Sequence, residues 1–165
     1  MTCPRGCNAD RASGALGLCG MPAEPVLARA ALHMWEEPCI SGSRGSGAVF
    51  FSGCSLKCVF CQNAQISTGG FGRPVSVSRL REIFFELIGQ GAHNINLVNP
   101  THFADPILAA LGEGLPVPVV YNTGGYDRTD TLARFENKID VYLPDFKYAD
   151  SRLAAKYAAA ADYPI

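Results

Sequence analysis

Residues 48–61 read AVFFSGCSLKCVFC, and they join an apolar run to a group of cysteines. Its first four residues are an apolar run that ends in Ser-Gly, the pattern of a short buried strand. Three cysteines follow, Cys54, Cys58 and Cys61, with the spacing C-x3-C-x2-C. Since a loop after a strand can direct three such thiols at one point, the stretch predicts a strand that leads into a metal-binding loop.

Strands and helices alternate through the rest of the chain. Short apolar runs predict further strands at 95–98, 117–121 and 139–143. Helical periodicity predicts a helix capped by Ser78, in which the residues facing the core are Leu80, Ile83, Phe84, Leu87 and Ile88. Further helices are predicted at 105–111, 127–135 and 151–161. This order indicates an α/β fold with parallel strands and right-handed crossovers.

Four βα units cannot close a barrel, so we expect the last strand to be an open edge and the chain to be the N-terminal part of a longer protein. Residues 1–47 form a cysteine-rich N-terminal segment, and residues 48–165 form the core. The N-terminal segment has one helical candidate, at 25–35, and too few periodic apolar residues for a core of its own. Either a bound metal or docking onto the remainder must therefore organise it.

Composition limits the classes of function. The 165 residues are 48% apolar and 18% charged, with a net charge of −1, which is typical of one globular domain. The charge argues against bulk binding to nucleic acid or anionic lipid, and no apolar run suits a membrane span. The N-terminus lacks the apolar core of a secretion signal, so we expect a cytoplasmic protein. The chain has seven cysteines, an odd number, and in the reducing cytoplasm such a set favours metal ligation over disulfides.

The three thiols of the 54–61 loop suit an iron–sulfur cluster. A structural zinc takes four protein ligands, and the loop offers only three. A [4Fe–4S] cluster held by three thiolates leaves one iron open to a non-protein partner. A zinc knuckle or plain buried thiols are the alternatives.

Four further cysteines, Cys3, Cys7, Cys19 and Cys39, follow the pattern C-x3-C-x11-C-x19-C. A separate metal site at Cys3, Cys7 and Cys19 is predicted, holding either a structural zinc or a second cluster. Cys39 could equally be a buried free thiol. The histidines His33, His93 and His102 have no ligand-like spacing among themselves, so bonded or solvated side chains are expected.

The cluster loop resembles that of the radical S-adenosylmethionine (SAM) superfamily, whose motif is C-x3-C-x-aromatic-C, as in Cys54, Cys58, Phe60 and Cys61. Residues 51–54 (FSGC) and 61–63 (CQN) are similar to relatives of the pyruvate formate-lyase activating enzyme. Residues 3–7, 36–42 and 99–103 match activating-enzyme homologues that include the radical SAM member of the AmmeMemoRadiSam grouping. The resemblance covers essentially the whole chain and implies a partial (β/α)6 barrel.

The resemblance also implies an activity. The [4Fe–4S] cluster would reductively cleave SAM to methionine and a 5′-deoxyadenosyl radical that abstracts hydrogen from a substrate. Phe60 would lie against the adenine, and Asn63 would support the loop. The further cofactor contacts implied are Asn99, Thr101, Asn122, Asp145 and Lys147.

One departure concerns SAM. Members of the family commonly place Gly-Gly-Glu after the second strand to bind the SAM amino group, whereas this chain has Asn99-Pro100-Thr101-His102.

The implied partners are an electron donor such as flavodoxin or ferredoxin and a protein substrate on which a glycyl radical would be made. The alternatives are a non-enzymatic zinc-binding interaction module and an inactive truncated radical SAM fragment.

Overall fold

The computed structural model describes residues 2–163, in which a six-stranded mixed sheet packs with helices in an α/β fold. The strands are β1 (Val26–His33), β2 (Ser46–Phe51), β3 (Arg73–Pro74), β4 (Ile95–Val98), β5 (Val119–Thr123) and β6 (Val141–Pro144). Their order in the sheet is β3-β1-β2-β4-β5-β6. The general α/β class expected from the sequence is thereby confirmed.

Strands β2, β4, β5 and β6 are parallel neighbours, as the alternating pattern predicts. Val49 pairs with Leu97, and Leu97 pairs with Tyr121. The third predicted strand is displaced, because Pro118 has no N–H for the ladder and β5 begins at the next residue. Asn122 therefore lies inside β5 rather than after it.

Residues 25–35 were expected to form a helix, and this prediction is wrong, since β1 occupies most of that range. β1 is antiparallel to β2, with Ala31 beside Ala48, and antiparallel to β3. The alanine and leucine content of the segment favours a helix locally. Pairing with the edge of β2 supplies backbone hydrogen bonds along the segment, and this tertiary context overrides the local preference.

Helices follow the parallel strands as predicted, with altered ends. Their bounds are α1 (Pro38–Ser41), α2 (Ala64–Ser67), α3 (Val77–Gly89), α4 (Ala104–Leu111), α5 (Thr129–Ala133) and α6 (Ser151–Ala158). Short 3-10 turns occupy Arg11–Ser13 and Thr101–Phe103. The cap of α3 is Ser76 rather than Ser78, because its hydroxyl accepts the amide hydrogen of Arg79 at 3.1 Å. α6 ends early, where Ala159 turns left-handed at φ 52°.

The main core lies between one face of the sheet and helices α3 and α4. Alternate residues of β2, β4 and β5 point into it, together with the buried stripe of α3 that the periodicity predicts, namely Val49, Phe51, Ile95, Leu97, Val119, Tyr121, Leu80, Ile83, Phe84 and Leu87. A smaller cluster joins the cysteine loop to α6 and comprises Leu56, Tyr126, Tyr148, Ala154, Ala158, Ala160 and Tyr163. Cys54 and Cys58 pack against this second cluster.

Over the residues that the structure describes, no helix combines the length and the apolar character that crossing a membrane would require.

Candidate functional site

The cysteine loop begins three residues after β2 and is fixed along its length to α6. The amide of Lys57 donates to the carbonyl of Ala158 at 3.0 Å, and that of Val59 donates to Tyr157 at 2.9 Å. On the other side, the guanidinium of Arg5 donates to the carbonyl of Ser55 at 2.6 Å. The loop is thus held from two directions, and its cysteines are left partly exposed at the carboxyl edge of the sheet.

The loop places polar groups against two of its sulfurs. The amide of Leu56 donates to the sulfur of Cys54 at 3.3 Å, and the Cys54 thiol lies 3.6 Å from the Oδ1 atom of Asn99. The sulfur of Cys61 lies 3.2 Å from the hydroxyl of Ser67. An amide hydrogen aimed at sulfur stabilises a thiolate, which is the form that binds metal.

Burial and charge act in opposite directions on the thiols. Burial raises the pKa of Cys54, against the hydrogen bonds that its sulfur makes with the Leu56 amide and the Asn99 side chain. Burial also raises the pKa of Cys58, against the positive charge of Lys147. Cys58 and Cys61 each add a like charge toward Cys54 when ionised, so the three sulfurs are electrostatic neighbours. A bound cation would relieve both the burial cost and this repulsion.

The sulfurs do not converge on a single point. Within residues 2–163, no group of three or more His, Cys, Asp or Glu side chains is arranged so that it could hold a metal ion as it stands. The donor set still fits a [4Fe–4S] cluster by chemistry, with three thiols on one eight-residue loop.

Asn99 joins the cysteine loop to the neighbouring strands. It follows β4 with a left-handed backbone at φ 56°, a conformation in which asparagine is enriched. Its side-chain nitrogen donates to the carbonyl of Gly53 at 2.7 Å, and its amide donates to the carbonyl of Asn122 at 2.8 Å. The structure therefore brings Asn99, one of the predicted cofactor contacts, together with Cys54.

Asn122 points toward an acidic residue that sequence reasoning missed. Its side-chain nitrogen donates to the Oε2 atom of Glu36 at 3.4 Å, and the other carboxylate oxygen lies 3.8 Å from His33. The Glu36 side chain is only 14% exposed. Burial raises the pKa of Glu36, His33 opposes the rise, and Glu37 adds to it. The residues 36–42 carry part of the family resemblance, and that was the one sequence signal at this position.

Asp145 and Lys147 form an ion pair after β6, with the ammonium nitrogen 2.6 Å from a carboxylate oxygen. The Lys147 side chain is 24% exposed and that of Asp145 is 59% exposed. Burial is the largest single influence on the pKa of Lys147 and lowers it. The hydrogen bond and negative charge of Asp145 raise it, so that the pKa lies above its ordinary value. Tyr163 holds the segment, since its hydroxyl accepts the amide hydrogen of Lys147 at 2.9 Å.

Three other predicted residues are placed apart from this group. Thr101 is buried, and its hydroxyl donates to Asp127 at 2.6 Å within a network that includes Thr123. Phe60 is 58% exposed, with its ring 6.4 Å from that of Tyr148. Asn63 is exposed and supports α2 through its carbonyl, which accepts from the amide of Ser67.

The N-terminal segment is organised by docking. The guanidinium of Arg11 donates to the carbonyls of His102, at 2.6 Å, and of Met21, at 3.1 Å. Arg5 donates to carbonyls at the end of α6, and its guanidinium lies 5.2 Å from the ring centroid of Tyr126. Arg5 thus ties the first residues to the cysteine loop and the end of α6, and Arg11 ties them to the turn after β4.

A cavity of about 320 Å³ opens between this segment and the body of the protein. Cys3, Cys7 and Cys19 line it together with His102, and Cys39 lies exposed on α1. Burial raises the pKa of Cys3, whereas backbone hydrogen bonds from Leu18 and Ala9 lower the pKa of Cys7. The structure brings together the three residues predicted for a second metal site.

His102 differs from the two other histidines. His93 uses both ring nitrogens with Arg44, at 3.2 Å and 3.0 Å. The His102 ring is buried, with Nε2 at 2.7 Å from the carbonyl of Ser52 and with Nδ1 unpartnered among the described residues. Burial lowers the pKa of His102 to about 4, so the ring is neutral near pH 7.

The chain is similar to a curated archaeal protein. An uncharacterized protein of Methanocaldococcus jannaschii, MJ0674, is 30% identical over 142 residues, covering 80% of this chain. The chain spans 41% of the length of this curated relative. No protein-family model matches the chain. No solved structure matches it either.

Proposed function

We propose that the chain carries the cluster- and SAM-binding part of a radical SAM enzyme, similar to the pyruvate formate-lyase activating enzyme. One observation carries the proposal. The cysteine loop C-x3-C-x-Phe-C follows a parallel strand, at the sheet edge where Asn99, Asn122 and the ion pair Asp145–Lys147 also lie. In parallel α/β folds, ligands bind at this carboxyl edge of the strands.

The thiols of Cys54, Cys58 and Cys61 would bind three irons of a [4Fe–4S] cluster and leave the fourth iron to SAM. When bound, the cluster supplies the single electron that cleaves a carbon–sulfur bond of SAM. Binding requires the three sulfurs to turn toward one point, and the partial exposure of all three leaves room for that rotation.

The other residues would bind and orient SAM. Asn122 and Glu36 together present an amide and a carboxylate, which suit the two hydroxyls of a ribose. Glu36 also supplies a largely buried carboxyl group at a site that lacks the Gly-Gly-Glu element of the family. Asp145 and Lys147 would bind the charged groups of the methionine part.

Anaerobic reconstitution of the 165-residue chain with iron and sulfide tests the proposal. We expect about four irons and four sulfides per chain, an electron paramagnetic resonance signal after reduction that changes on SAM addition, and release of 5′-deoxyadenosine. Cys58→Ala should abolish the release.

Cys39→Ser is the matched control, because Cys39 is an exposed cysteine on α1 outside the loop. It should leave iron content and SAM cleavage unchanged. SAM cleavage retained in Cys58→Ala, or tightly bound zinc without iron or sulfide in the parent protein, would overturn the proposal. The second of these results would favour a zinc-binding interaction module.

A further inference from the structure

We propose that Cys3, Cys7 and Cys19 bind a zinc ion and that the Nδ1 atom of His102 is the fourth ligand. The site is separate from the cysteine loop and does not depend on the radical SAM function.

Two tight turns deliver the three thiols. In the first, the amide of Gly6 donates to the carbonyl of Cys3 at 3.4 Å, and Cys7 follows. In the second, the amide of Gly20 donates to the carbonyl of Gly17 at 2.8 Å, with Cys19 inside the turn. The C-x3-C spacing of Cys3 and Cys7 lies within the range that structural zinc sites use.

The sulfurs of Cys7 and Cys19 both lie close to Gly17. A β-carbon on Gly17 would lie 3.2 Å from the sulfur of Cys19 and 3.6 Å from that of Cys7. Both sulfurs therefore lie on the same side of this residue. Cys3 lines the same cavity, so the three cysteines border a common volume, although within residues 2–163 their side chains do not meet at one point as they stand.

His102 meets the requirements of the fourth ligand. A carbonyl can only accept, so the 2.7 Å contact with Ser52 assigns the hydrogen to Nε2 and leaves a lone pair on Nδ1. That atom is buried and has no hydrogen-bond partner in the described chain. Zinc-binding histidines commonly donate their other N–H to a carbonyl in this way.

His102 also lies directly beside the turn that carries Cys19. A β-carbon on Gly53 would lie 2.9 Å from the carbonyl oxygen of Cys19 and 3.2 Å from the Nε2 atom of His102. The ring and the turn therefore pack against the same point of the chain, and His102 and Cys19 are both lining residues of the cavity.

Charge and ligand type favour zinc over a second iron–sulfur cluster. Three thiolates and a neutral imidazole give a zinc complex with one net negative charge, and the cavity is lined by two cations, Arg5 and Arg11. A closed set of three sulfurs and one nitrogen is a common structural zinc site. Binding draws the sulfurs to about 2.3 Å from the metal, which requires side-chain rotation of the exposed Cys7 above all.

The test uses the full chain with Cys54, Cys58 and Cys61 all replaced by serine, so that the loop contributes no metal. After expression with zinc and purification under reductant, we expect one zinc per chain by elemental analysis. Cys7→Ser or Cys19→Ser should abolish it, whereas Cys39→Ser should retain it. His102→Gln keeps a donor for Ser52 and removes Nδ1, so zinc affinity should fall at least about tenfold.

His93→Gln is the control for the histidine, because both His93 nitrogens bond to Arg44. Should His102→Gln fail to fold, the cobalt(II) spectrum of the folded parent distinguishes a three-sulfur, one-nitrogen set from other ligand sets. Iron and sulfide in place of zinc, or a disulfide with two thiols lost to titration, would overturn the zinc site. Unchanged affinity in His102→Gln would overturn the fourth ligand.

Discussion

Asn99 donates a hydrogen bond from its side-chain nitrogen to the carbonyl oxygen of Gly53, at 2.7 Å. The residue after β4 thereby holds the residue that precedes Cys54. Its own backbone is left-handed, so both its side chain and its conformation contribute to the position of the cysteine loop.

Replacement of Asn99 should therefore loosen the loop. Asn99→Gly keeps the left-handed backbone accessible and removes only the side chain, so it should cost about 1 to 2 kcal/mol in the free energy of unfolding. Asn99→Ala adds backbone strain and should cost more. Chemical denaturation measures both. If Asn99→Gly matches the parent protein in stability and in iron bound after reconstitution, the side chain does not hold the loop.

Glu36 predicts a pH dependence of stability. Because burial raises its folded-state pKa above the ordinary value of 4.5, the carboxyl contributes stability below that value, and the contribution is lost as the pH rises through the folded pKa. Its titratable neighbours are His33, which opposes the shift, and Glu37, which adds to it. Glu36→Gln should thus stabilise the protein at about pH 7.5 and lose this advantage near about pH 4.

Denaturation midpoints at the two pH values measure this effect. Glu113→Gln is the control, since Glu113 is exposed and should show no such pH-dependent gain. A Glu36→Gln variant that is less stable than the parent at the higher pH would contradict the prediction. It would show that the ionised carboxylate is well compensated by Asn122 and His33.

Replacement of Thr101 tests whether this residue stabilises the fold or contacts SAM. Its buried hydroxyl donates to Asp127, which also accepts from Thr123 at 2.6 Å and from Tyr121 at 3.1 Å. Thr101→Val should cost about 1 to 3 kcal/mol, because the carboxylate loses a donor in a buried network. In the folded variant the affinity for SAM should be unchanged.

Equilibrium denaturation and SAM titration of the reconstituted protein provide the two readouts. Thr129→Val is the control, because Thr129 is an exposed threonine at the start of α5. Weakened SAM binding with unchanged stability would show instead that Thr101 contacts the cofactor.

Arg5 should stabilise the fold through contacts with residues that are distant in the sequence. Its guanidinium bonds to the carbonyls of Ser55, Ala158 and Ala159. Arg5→Met should cost about 2 kcal/mol or more, since three carbonyls lose a charged donor. Denaturation in the presence of a chelator, which keeps bound metal out of the comparison, measures the cost.

Arg152→Met is the control for Arg5. The Arg152 side chain is 92% exposed and pairs with Asp150 at the surface, so its loss should cost less than about 0.5 kcal/mol. Equal costs for the two variants would mean that Arg5 is a surface residue in solution.

The parallel part of the fold could be predicted because local signals agree there. Each apolar run, which predicts a strand, is followed by a segment with helical periodicity. The parallel pairing of β2, β4, β5 and β6 agrees with both of these local patterns. β1 could not be predicted in this way. Its sequence is compatible with a helix. The segment becomes a strand because it pairs with the edge of β2, where Ala31 lies beside Ala48, seventeen residues later in the chain.

The site residues divide similarly. The cysteine loop is contiguous, so its spacing could be recognised directly. Glu36 meets Asn122 across 86 residues, and no local pattern marks such a contact. His102 was expected to be bonded or solvated, and its ring has one buried nitrogen unpartnered among residues 2–163 instead. Burial and tautomer depend on packing that spacing does not report.

The contact of Arg5 with Ala159 has a consequence for biosynthesis. The two residues are 154 positions apart, so the second residue leaves the ribosome long after the first. During translation Arg5 cannot make this contact while the chain from β2 to β6 is being synthesised, whereas Arg11 meets its partner His102 earlier. The cysteine loop gains its hydrogen bonds to Tyr157 and Ala158 only when α6 has emerged, so the loop lacks this part of its support until synthesis of this region is complete.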